Sequence, residues 1–267
     1  MATTDDVLLH ELDARGVLRL TLNDPRRRNP LSEAMLAALH TAILDAGENP
    51  AVRVVILGAN GPAFSAGHDL REMTAEREAP DRGRAYFAKM MGICSTVMQA
   101  VVTCPKPVIA EVGGVAAAAG CQLVASCDMA IASEGALFNT PGVNIGLFCS
   151  TPMVAISRNV SSKHAMEMLL TGDLIPAARA EEMGLVNRVV AEADLRSATD
   201  QLAAQIATKS TYTLAVGKRA FYEQAEMTLG EAYTYASRVM VENMLAHDAE
   251  EGIGAFLEKR SPEWKDS

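Results

Sequence analysis

Eight consecutive residues in the middle of the chain, Gly113–Gly120, are almost entirely glycine and alanine. They join an apolar run at Pro107–Val112, which is typical of a buried strand, to the expected first turns of a helix at Cys121–Ser126. A second segment of small residues, Ala59–Gly67, follows another apolar run, Val52–Leu57. Because small side chains let other groups approach the backbone, the chain must make two tight connections next to buried strands.

Strand patterns dominate the first half of the chain, mixed with helices, and helical patterns dominate the second half. Val7–Asp13 and Val17–Asn23 are predicted as two strands around a turn, and Ser32 is predicted to cap a helix that continues to Ala46. A long helix is expected over Gly83–Val102. The other predicted strands are Met129–Ala132, Ala136–Phe138 and Val186–Val190, and the other predicted helices include Ala193–Lys209, Thr211–Tyr222, Gly230–Ala246 and Ala249–Glu258.

No low-complexity linker and no internal repeat divides the chain. Aromatic residues make up only 4% of it, so the core must be built from aliphatic residues and methionine. The fold class that fits this pattern is α/β. We expect one core over residues 1–195, carrying the functional site, followed by a C-terminal helical region over residues 196–267.

Charge and hydropathy exclude several classes of partner. The formal net charge of −9 argues against nucleic-acid binding, which needs a basic face. No stretch of 18 apolar residues is present, so neither a transmembrane helix nor a membrane partner is expected. Met1–Asp6 is polar and acidic, unlike a signal or transit peptide, and this leads us to expect a cytoplasmic protein.

Five cysteines are present, an odd number, and their spacing is not that of a metal site. They are Cys94, Cys104, Cys121, Cys127 and Cys149. We expect free, mostly buried thiols, no disulfide framework and no bound metal.

Two segments, Phe64–Leu70 and Ala116–Leu123, are the candidates for chemistry. The second lies at the start of a predicted helix, where unpaired backbone N–H groups carry partial positive charge. Two such N–H groups that converge on one carbonyl oxygen form an oxyanion hole, which suits a thioester. From the residues alone, tight packing is the more frequent explanation of such small side chains.

The motifs themselves are more specific than the composition. The segment Phe64–Leu70 reads Phe-Ser-Ala-Gly-His-Asp-Leu, and Gly120–Leu123 reads Gly-Cys-Gln-Leu. Together they resemble the enoyl-CoA hydratase/isomerase (crotonase) family. Further segments that match in the same order are Cys104–Ala110, Cys127–Asp128, Leu170–Gly172, Ala180–Val186 and Glu258–Arg260.

The resemblance implies a crotonase (ClpP-like) spiral of ββα units with a C-terminal helical region that forms a homotrimer, often a dimer of trimers. It implies an acyl-CoA thioester as ligand, with coenzyme A as part of the substrate and no separate cofactor. It also implies an oxyanion hole made by the backbone N–H groups of Ala66 and Ala119. The residues that would line coenzyme A are Ala66, Gly67, His68, Asp69 and Leu70, with Lys259 or Arg260 reaching its phosphates across a subunit boundary.

The chain departs from the family at the two catalytic carboxylates. Family hydratases carry glutamate where this chain has Gln122, and a second glutamate where it has Gly142. Adding water to a double bond needs a group that takes a proton and a group that delivers one. Gln122 cannot act as a base and Gly142 has no side chain. The resemblance implies that related isomerases place an acid at the position of Ser150, and that Asn144 also replaces an acid.

Several groups are candidates to replace the missing carboxylates. His68 titrates in the useful range, although the resemblance also allows it to line the ligand. Cys149 is a possible nucleophile or a buried structural thiol. Glu111 is expected to pair with a neighbour, and Asp69 to fix its loop. A small anion such as bicarbonate is a further candidate for the space beside Gly142.

Two functions follow from this pattern. The first is an acyl-CoA enzyme of fatty-acid metabolism, a lyase or isomerase with weak or atypical hydratase activity, in which Gln122 and Asn144 position water or the acyl chain. The second is a protein that binds acyl-CoA without converting it. The missing acid/base pair favours the second function, and the oxyanion segment favours the first.

Overall fold

Two β-sheets organise residues 7–267, the part of the chain that this computed structural model describes. The expectation drawn from Met1–Asp6 lies outside these residues. The strands are β1 Leu8–Leu12, β2 Val17–Leu22, β3 Val54–Ala59, β4 Ala63–Ser65, β5 Val108–Val112, β6 Val115–Ala117, β7 Met129–Ser133, β8 Leu137–Asn139, β9 Ile175–Pro176 and β10 Arg188–Val190. The α-helices are α1 Glu33–Glu48, α2 Leu70–Ala75, α3 Arg84–Thr103, α4 Ala119–Ser126, α5 Ser150–Ile156, α6 Ser162–Thr171, α7 Ala177–Met183, α8 Leu195–Ala207, α9 Thr211–Gln224, α10 Leu229–Met244 and α11 His247–Glu258.

The larger sheet has the strand order β1-β2-β3-β5-β7-β10 and is parallel apart from the β1–β2 hairpin. Successive residues of β3 are buried on opposite faces, which is why this strand is a continuous apolar run. Val55 and Leu57 join the main core with α1 and α3. Val54 and Ile56 join a second core on the other face.

The smaller sheet has the order β4-β6-β8-β9, and its first three strands are parallel. The sequence pattern missed β4 and β6, which lie inside the two segments of small residues. Each strand has only three residues, and four of the six are alanine or serine, which have little intrinsic strand preference. Pairing with neighbouring strands holds them in place.

Helices α1 and α3 cover the main core. The predicted cap of α1 is confirmed, since the Ser32 hydroxyl accepts a hydrogen bond from the Met35 N–H at 3.2 Å. Of the helices in residues 7–267, α3 alone has the length and apolar composition that could cross a membrane, a test that core helices also pass. Its residues Cys94, Val97 and Val101 are buried in the core. This packing accounts for its apolar side, and the absence of a membrane partner stays a prediction.

Helix α8 begins at the predicted domain boundary and covers the second face of the larger sheet. Leu195, Leu202 and Ala203 pack against Val54 and Ile56 there. The division into residues 1–195 and 196–267 stays a prediction, and the helix that follows residue 195 shares a core with the sheet.

A buried ion pair ties α9 to the body of the molecule. The Lys218 ammonium lies 2.7 Å from the Asp128 carboxylate, and the Tyr222 hydroxyl donates to the same carboxylate at 3.0 Å. Burial raises the pKa of Asp128, with Lys218 opposing that shift. The C-terminal helices are therefore anchored to the core by a polar contact as well as by apolar packing.

Candidate active site

The two small-residue segments meet because β4 and β6 are neighbouring parallel strands. Ser65 pairs with Ala116 at the point where both strands end. Gly67 follows with a φ of +87°, and a Cβ at this position would lie 3.0 Å from the Ala118 Cβ and 3.2 Å from the Ala119 nitrogen. A side chain at residue 67 would therefore separate the two segments, and glycine allows them to touch.

Gly120 closes the same contact from the other side. A Cβ there would stand 2.4 Å from the Ser65 carbonyl oxygen, closer than any real Cβ contact. The glycine is therefore required by packing of α4 on β4. It fixes the start of α4 against the end of β4.

Ala118 has a backbone conformation that side chains rarely adopt, with φ 49° and ψ −118°. Its own N–H donates to the Asn139 carbonyl at 2.9 Å, which holds the turn to β8. The next residue, Ala119, is the first of α4, and its N–H has no acceptor among residues 7–267. The strained turn thus leaves the Ala119 N–H unpaired at the junction of the two segments, and its role as a donor to a ligand stays a prediction.

Ala66 was the other predicted donor, and the structure does not support that assignment. Its N–H donates to the Arg28 carbonyl at 2.9 Å, so this group is already paired. The Gly67 N–H is also used, by the Ser65 hydroxyl at 3.2 Å. The His68 N–H is the next along the chain, and it has no acceptor among the described residues. The sequence around Ala66 does not reveal that its N–H is already paired, because Arg28 comes from a distant segment.

Asp69 and Leu70 begin helix α2. The Asp69 carboxylate caps the helix by accepting from the Arg71 N–H at 2.9 Å, and it binds the Arg27 guanidinium at 2.7 Å. Both carboxylate oxygens are therefore occupied, in agreement with a loop-fixing role. Leu70 is half exposed and remains free to contact a ligand.

The His68 imidazole is mostly buried, and neither ring nitrogen has a hydrogen-bond partner within residues 7–267. Burial lowers the pKa of His68, and the Leu31 backbone, which lies beyond hydrogen-bond geometry, opposes this shift more weakly. The ring is therefore predominantly neutral at neutral pH. One of its nitrogens is then available as an acceptor.

Gln122 lies one turn after Ala119 on α4. Its side chain is 4% exposed, and its Oε1 atom has no hydrogen-bond partner among residues 7–267. Side chains on a helix lean toward its N-terminus, so this amide is directed back over the turn that holds the free Ala119 N–H. An unpaired acceptor and an unpaired donor therefore share the first turns of one helix.

Protein atoms lie close against Gly142. A Cβ on Gly142 would stand 2.8 Å from the Leu147 carbonyl oxygen and 2.9 Å from the Cys149 Sγ. A side chain at residue 142 therefore requires these atoms to move, and the small anion near this position stays a hypothesis. Burial raises the pKa of Cys149, which keeps the thiol protonated and argues against a nucleophile.

The remaining predicted residues lie at the surface or in ion pairs. Asn144 and Ser150 are exposed. Arg260 is held by Glu251 at 2.6 Å and by Glu258, whereas the exposed Lys259 makes no side-chain contact of this kind within residues 7–267.

Glu111 pairs with a neighbour, as predicted. Its carboxylate lies 2.6 Å from the Arg19 guanidinium, which also binds Asp200 at 2.7 Å. All five cysteines are free and buried, which confirms that expectation. Among residues 7–267, no three His, Cys, Asp or Glu side chains are grouped as metal ligands.

Known proteins share both the sequence and the fold. A profile described as enoyl-CoA hydratase/isomerase matches residues 13–267. The Homo sapiens protein named enoyl-CoA hydratase domain-containing protein 3, mitochondrial, is 49% identical over 249 residues, which are 93% of this chain and 80% of that protein. The resemblance to the enoyl-CoA hydratase/isomerase family is confirmed.

Two crystal structures extend the comparison to the fold. An enoyl-CoA hydratase from Mycobacterium smegmatis superposes with a TM-score of 0.92 at 50% identity, over 97% of this chain and 98% of that one. The human enoyl coenzyme A hydratase domain-containing protein 3 gives a TM-score of 0.91 at 45% identity, over 97% of this chain and 100% of that one. The expected crotonase fold with C-terminal helices is confirmed.

The expected cytoplasmic location is contradicted. The human relative is named mitochondrial, and so are its counterparts from Mus musculus, Rattus norvegicus, Xenopus laevis and Danio rerio. The expectation rested on the character of Met1–Asp6 alone, and a missing leader pattern there does not decide location.

Proposed function

This chain belongs to the enoyl-CoA hydratase/isomerase family, and on that premise we propose that it binds an acyl-CoA thioester and polarises the carbonyl with the backbone N–H groups of His68 and Ala119. The observation that carries the proposal is that these two N–H groups are unpaired where the two segments meet. Each such donor typically contributes about 3–4 kcal/mol to stabilising an oxyanion. A thioester concentrates negative charge on this oxygen when it forms an enolate or a tetrahedral adduct.

Ordinary hydration does not fit the side chains of the site. Gln122 cannot take a proton from water, and Gly142 cannot deliver one to carbon. Of the histidine and the carboxylate in the two motif segments, the His68 ring is the one without a hydrogen-bond partner within residues 7–267. We therefore place the protein in fatty-acid metabolism with an atypical reaction at an acyl-CoA, in which His68 is the candidate for proton transfer and Gln122 for orienting water or substrate.

A second function is favoured by one specific observation, the close packing of the Leu147 carbonyl and the Cys149 Sγ against Gly142. With no carboxylate at residue 142 and no room there for a larger side chain, the site suits a protein that holds acyl-CoA without converting it. Binding would still use the two N–H groups. The two functions differ in turnover and share the ligand.

The assembly in this proposal is a homotrimer or a dimer of trimers. Its support is the apolar surface of α9, α10 and α11, which leaves large apolar side chains exposed. These include Phe221, Leu229, Tyr233, Met240, Leu245 and Phe256. Lys259 at the end of α11 would then reach the coenzyme A phosphates of a neighbouring subunit. Light scattering tests this assembly, and a monomer at micromolar concentration would contradict it.

One experiment tests ligand, donor and turnover together. The protein is incubated in deuterated water with crotonyl-CoA and longer enoyl-CoAs, and the products are identified by mass spectrometry. Product formation or deuterium uptake is expected to fall about 100-fold or more in Ala119→Pro, which removes the N–H. The matched control is Ala119→Gly, which keeps the N–H and is expected to remain active.

The outcomes separate the two functions. A mass change that depends on the Ala119 N–H supports an enzyme and identifies its reaction. Tight acyl-CoA binding with no change in any substrate supports the binding protein. Absence of any acyl-CoA binding by the folded protein would overturn both.

A further inference from the structure

The segment that follows α11 folds back along that helix and also contacts the body of the molecule. We call residues 260–267 the strap. We propose that the strap holds α11 in place, and that the strap and α11 open together as one unit while both sheets stay folded. Because Lys259 is the residue that ends α11, each opening also moves the residue proposed above to reach coenzyme A. The opening itself needs no ligand, so it can be tested apart from the proposed function.

One buried carboxylate joins α11 to the strap. Asp248 lies in the first turn of α11 and is 2% exposed. Its two oxygens accept hydrogen bonds from the backbone N–H groups of Lys265 at 2.8 Å and Asp266 at 2.9 Å. The Asp248 N–H in turn donates to the Ser267 carbonyl at 3.0 Å. Burying a carboxylate is unfavourable unless it is hydrogen-bonded, so the buried position of Asp248 depends on the docked strap.

The strap is bound in turn to the body of the molecule, at the junction of α8 and α9. The Trp264 Nε1 donates to the Thr208 carbonyl at 2.8 Å, one residue after α8 ends. The Asp266 carboxylate accepts from the Thr211 N–H at 2.7 Å and from the Arg53 guanidinium at 3.0 Å. Thr211 is the first residue of α9, and Arg53 lies directly before β3. The strap therefore connects α11 to two other helices and to the larger sheet.

Helix α11 buries little surface of its own. Of its twelve residues, all within the described part of the chain, only Asp248 and Ala255 are buried. Its apolar residues Phe256 and Leu257 are 81% and 74% exposed. Segments with few buried apolar contacts open locally at a lower free energy than the core does. We therefore expect α11 to open before the sheets do, and the strap is the contact that opposes this opening.

Backbone strain at both ends of the strap opposes its docking. Lys259, which joins α11 to the strap, has a φ of 58°, and so has Asp266. This left-handed region is unfavourable for residues other than glycine, and more so for lysine than for aspartate. The hydrogen bonds of Asp248 and Trp264 offset this cost while the strap is docked. Release of the strap relaxes both strained residues, which favours the open state once those bonds are lost.

Hydrogen exchange of the natural protein, measured by mass spectrometry, tests whether α11 and the strap form one unit. Peptides from both are followed at low urea concentrations, together with peptides from β3 and β5. We expect α11 and the strap to share one opening equilibrium constant, at least about tenfold larger than that of the two strands. Two different constants for α11 and the strap, or an α11 that opens as rarely as the strands, would overturn the proposal.

Trp264→Ala tests whether the strap is what holds α11. The substitution removes the ring and its hydrogen bond to the Thr208 carbonyl. We expect exchange in α11 to become at least about tenfold faster, with exchange in β3 and β5 unchanged.

A matched pair of variants in α11 keeps the test valid where Trp264→Ala does not fold. A Cβ on Gly252 would stand 3.0 Å from the Trp264 ring, whereas a Cβ on Gly254 would meet only the Arg260 guanidinium, at 4.0 Å. Alanine raises the helix propensity equally at both positions. Gly254→Ala is therefore expected to slow exchange in α11. In Gly252→Ala that exchange is expected to be at least about fivefold faster than in Gly254→Ala, because the ring is displaced.

Faster exchange that is confined to α11 and the strap supports the proposal. Unchanged exchange of α11 in Trp264→Ala would overturn it, because another contact, such as a neighbouring subunit, would then hold the helix. An equal increase in β3 and β5 would also overturn it, since α11 would then open only with the whole molecule. Equal exchange in Gly252→Ala and Gly254→Ala would mean that the Trp264 ring does not hold α11, with the same consequence. Acyl-CoA binding can succeed or fail in each of these cases.

Discussion

The two positions at which this chain lacks the family's glutamates differ in structure. At residue 122 a polar side chain of similar size remains, buried, with an unpaired oxygen. At residue 142 no side chain remains, and the Leu147 carbonyl and the Cys149 Sγ fill the space that one would need. The first region, the start of α4, is kept as a polar site. In the second region, the position of a side chain on residue 142 is packed shut, while residues 144–148 of the same loop are exposed.

The two positions have therefore lost their carboxylates in structurally different ways. Gln122→Glu changes one atom in a site of the right size, whereas Gly142→Glu must displace backbone. A simple return to the family's residues therefore does not restore two carboxylates. Any reaction at this site has to use the polar side chain at residue 122 without a side chain from residue 142.

Gly142→Glu has the largest expected effect. Overpacking against the Leu147 carbonyl, with a buried charge in addition, is expected to lower the free energy of unfolding by about 3 kcal/mol or more. Urea denaturation measures the loss. The matched variant is Gly92→Glu on α3, where an added Cβ meets nothing within 4 Å, and it is expected to be neutral or slightly stabilising.

Gln122→Glu sharpens the same comparison. If Gly142→Glu cost no more than Gln122→Glu, the position of a side chain on residue 142 would not be packed shut and the contrast would fail. With the contrast intact, Gln122→Glu alone is not expected to create ordinary hydratase activity with crotonyl-CoA, since the second carboxylate position stays closed.

A double-mutant cycle between residues 142 and 149 is expected to give the next largest effect. Gly142→Ala should destabilise the protein because the new Cβ meets the Cys149 Sγ and the Leu147 oxygen. Cys149→Ala removes the sulfur, so the cost of Gly142→Ala in that background should shrink by about 1 kcal/mol. Additive free energies from urea denaturation would mean that the thiol does not close this region.

The sequence predicted the larger sheet well and the site only in part. Apolar runs such as Val52–Leu57 correspond to strands that are buried on both faces, and Ser32 caps α1 as its position indicated. Strands β4 and β6 were missed because three-residue strands of small side chains are held by their neighbours. Local patterns carry no information about such pairing.

At the site, the motifs located the right segments but not the right atoms. The Ala119 N–H is unpaired because of its place at the start of a helix, which the sequence shows. The Ala66 N–H is paired with Arg28, and Leu147 and Cys149 pack closely against Gly142. Both facts depend on tertiary contacts, so reading residue types alone could not supply them.

Ala118→Gly tests the backbone strain in the first region, at the start of α4. Relief of the positive φ at Ala118 should outweigh the flexibility that glycine adds to the unfolded chain, with a net stabilisation of about 1 kcal/mol. The matched control is Ala117→Gly in β6, where the backbone is extended and glycine should destabilise by about 0.5–1 kcal/mol. Urea denaturation of both variants gives the comparison, and destabilisation in both would mean that Ala118 is unstrained.

The first region also contains a titratable side chain, His68. Replacing it is the change with the smallest expected effect on stability. Burial lowers its pKa in the folded protein below the ordinary value of 6.5, so at acidic pH the unfolded chain binds the extra proton. Stability contributed by the neutral ring is present above about pH 6.5 and is lost as the pH falls from there towards the folded pKa. We expect His68→Leu to lose less stability than the natural protein between about pH 7.5 and about pH 6, by less than about 1 kcal/mol.

Urea denaturation at both pH values measures that difference. The packing change made by the substitution is the same at each pH, so it cancels when the two free energies of unfolding are subtracted. The control is His10→Gln, which alters an exposed histidine on β1 and should leave the pH dependence unchanged. An equal pH dependence in His68→Leu and the natural protein would mean that the ring is not buried as a neutral group. The first region would then lack the neutral histidine that proton transfer in the proposed enzyme needs, and this result would favour binding without turnover.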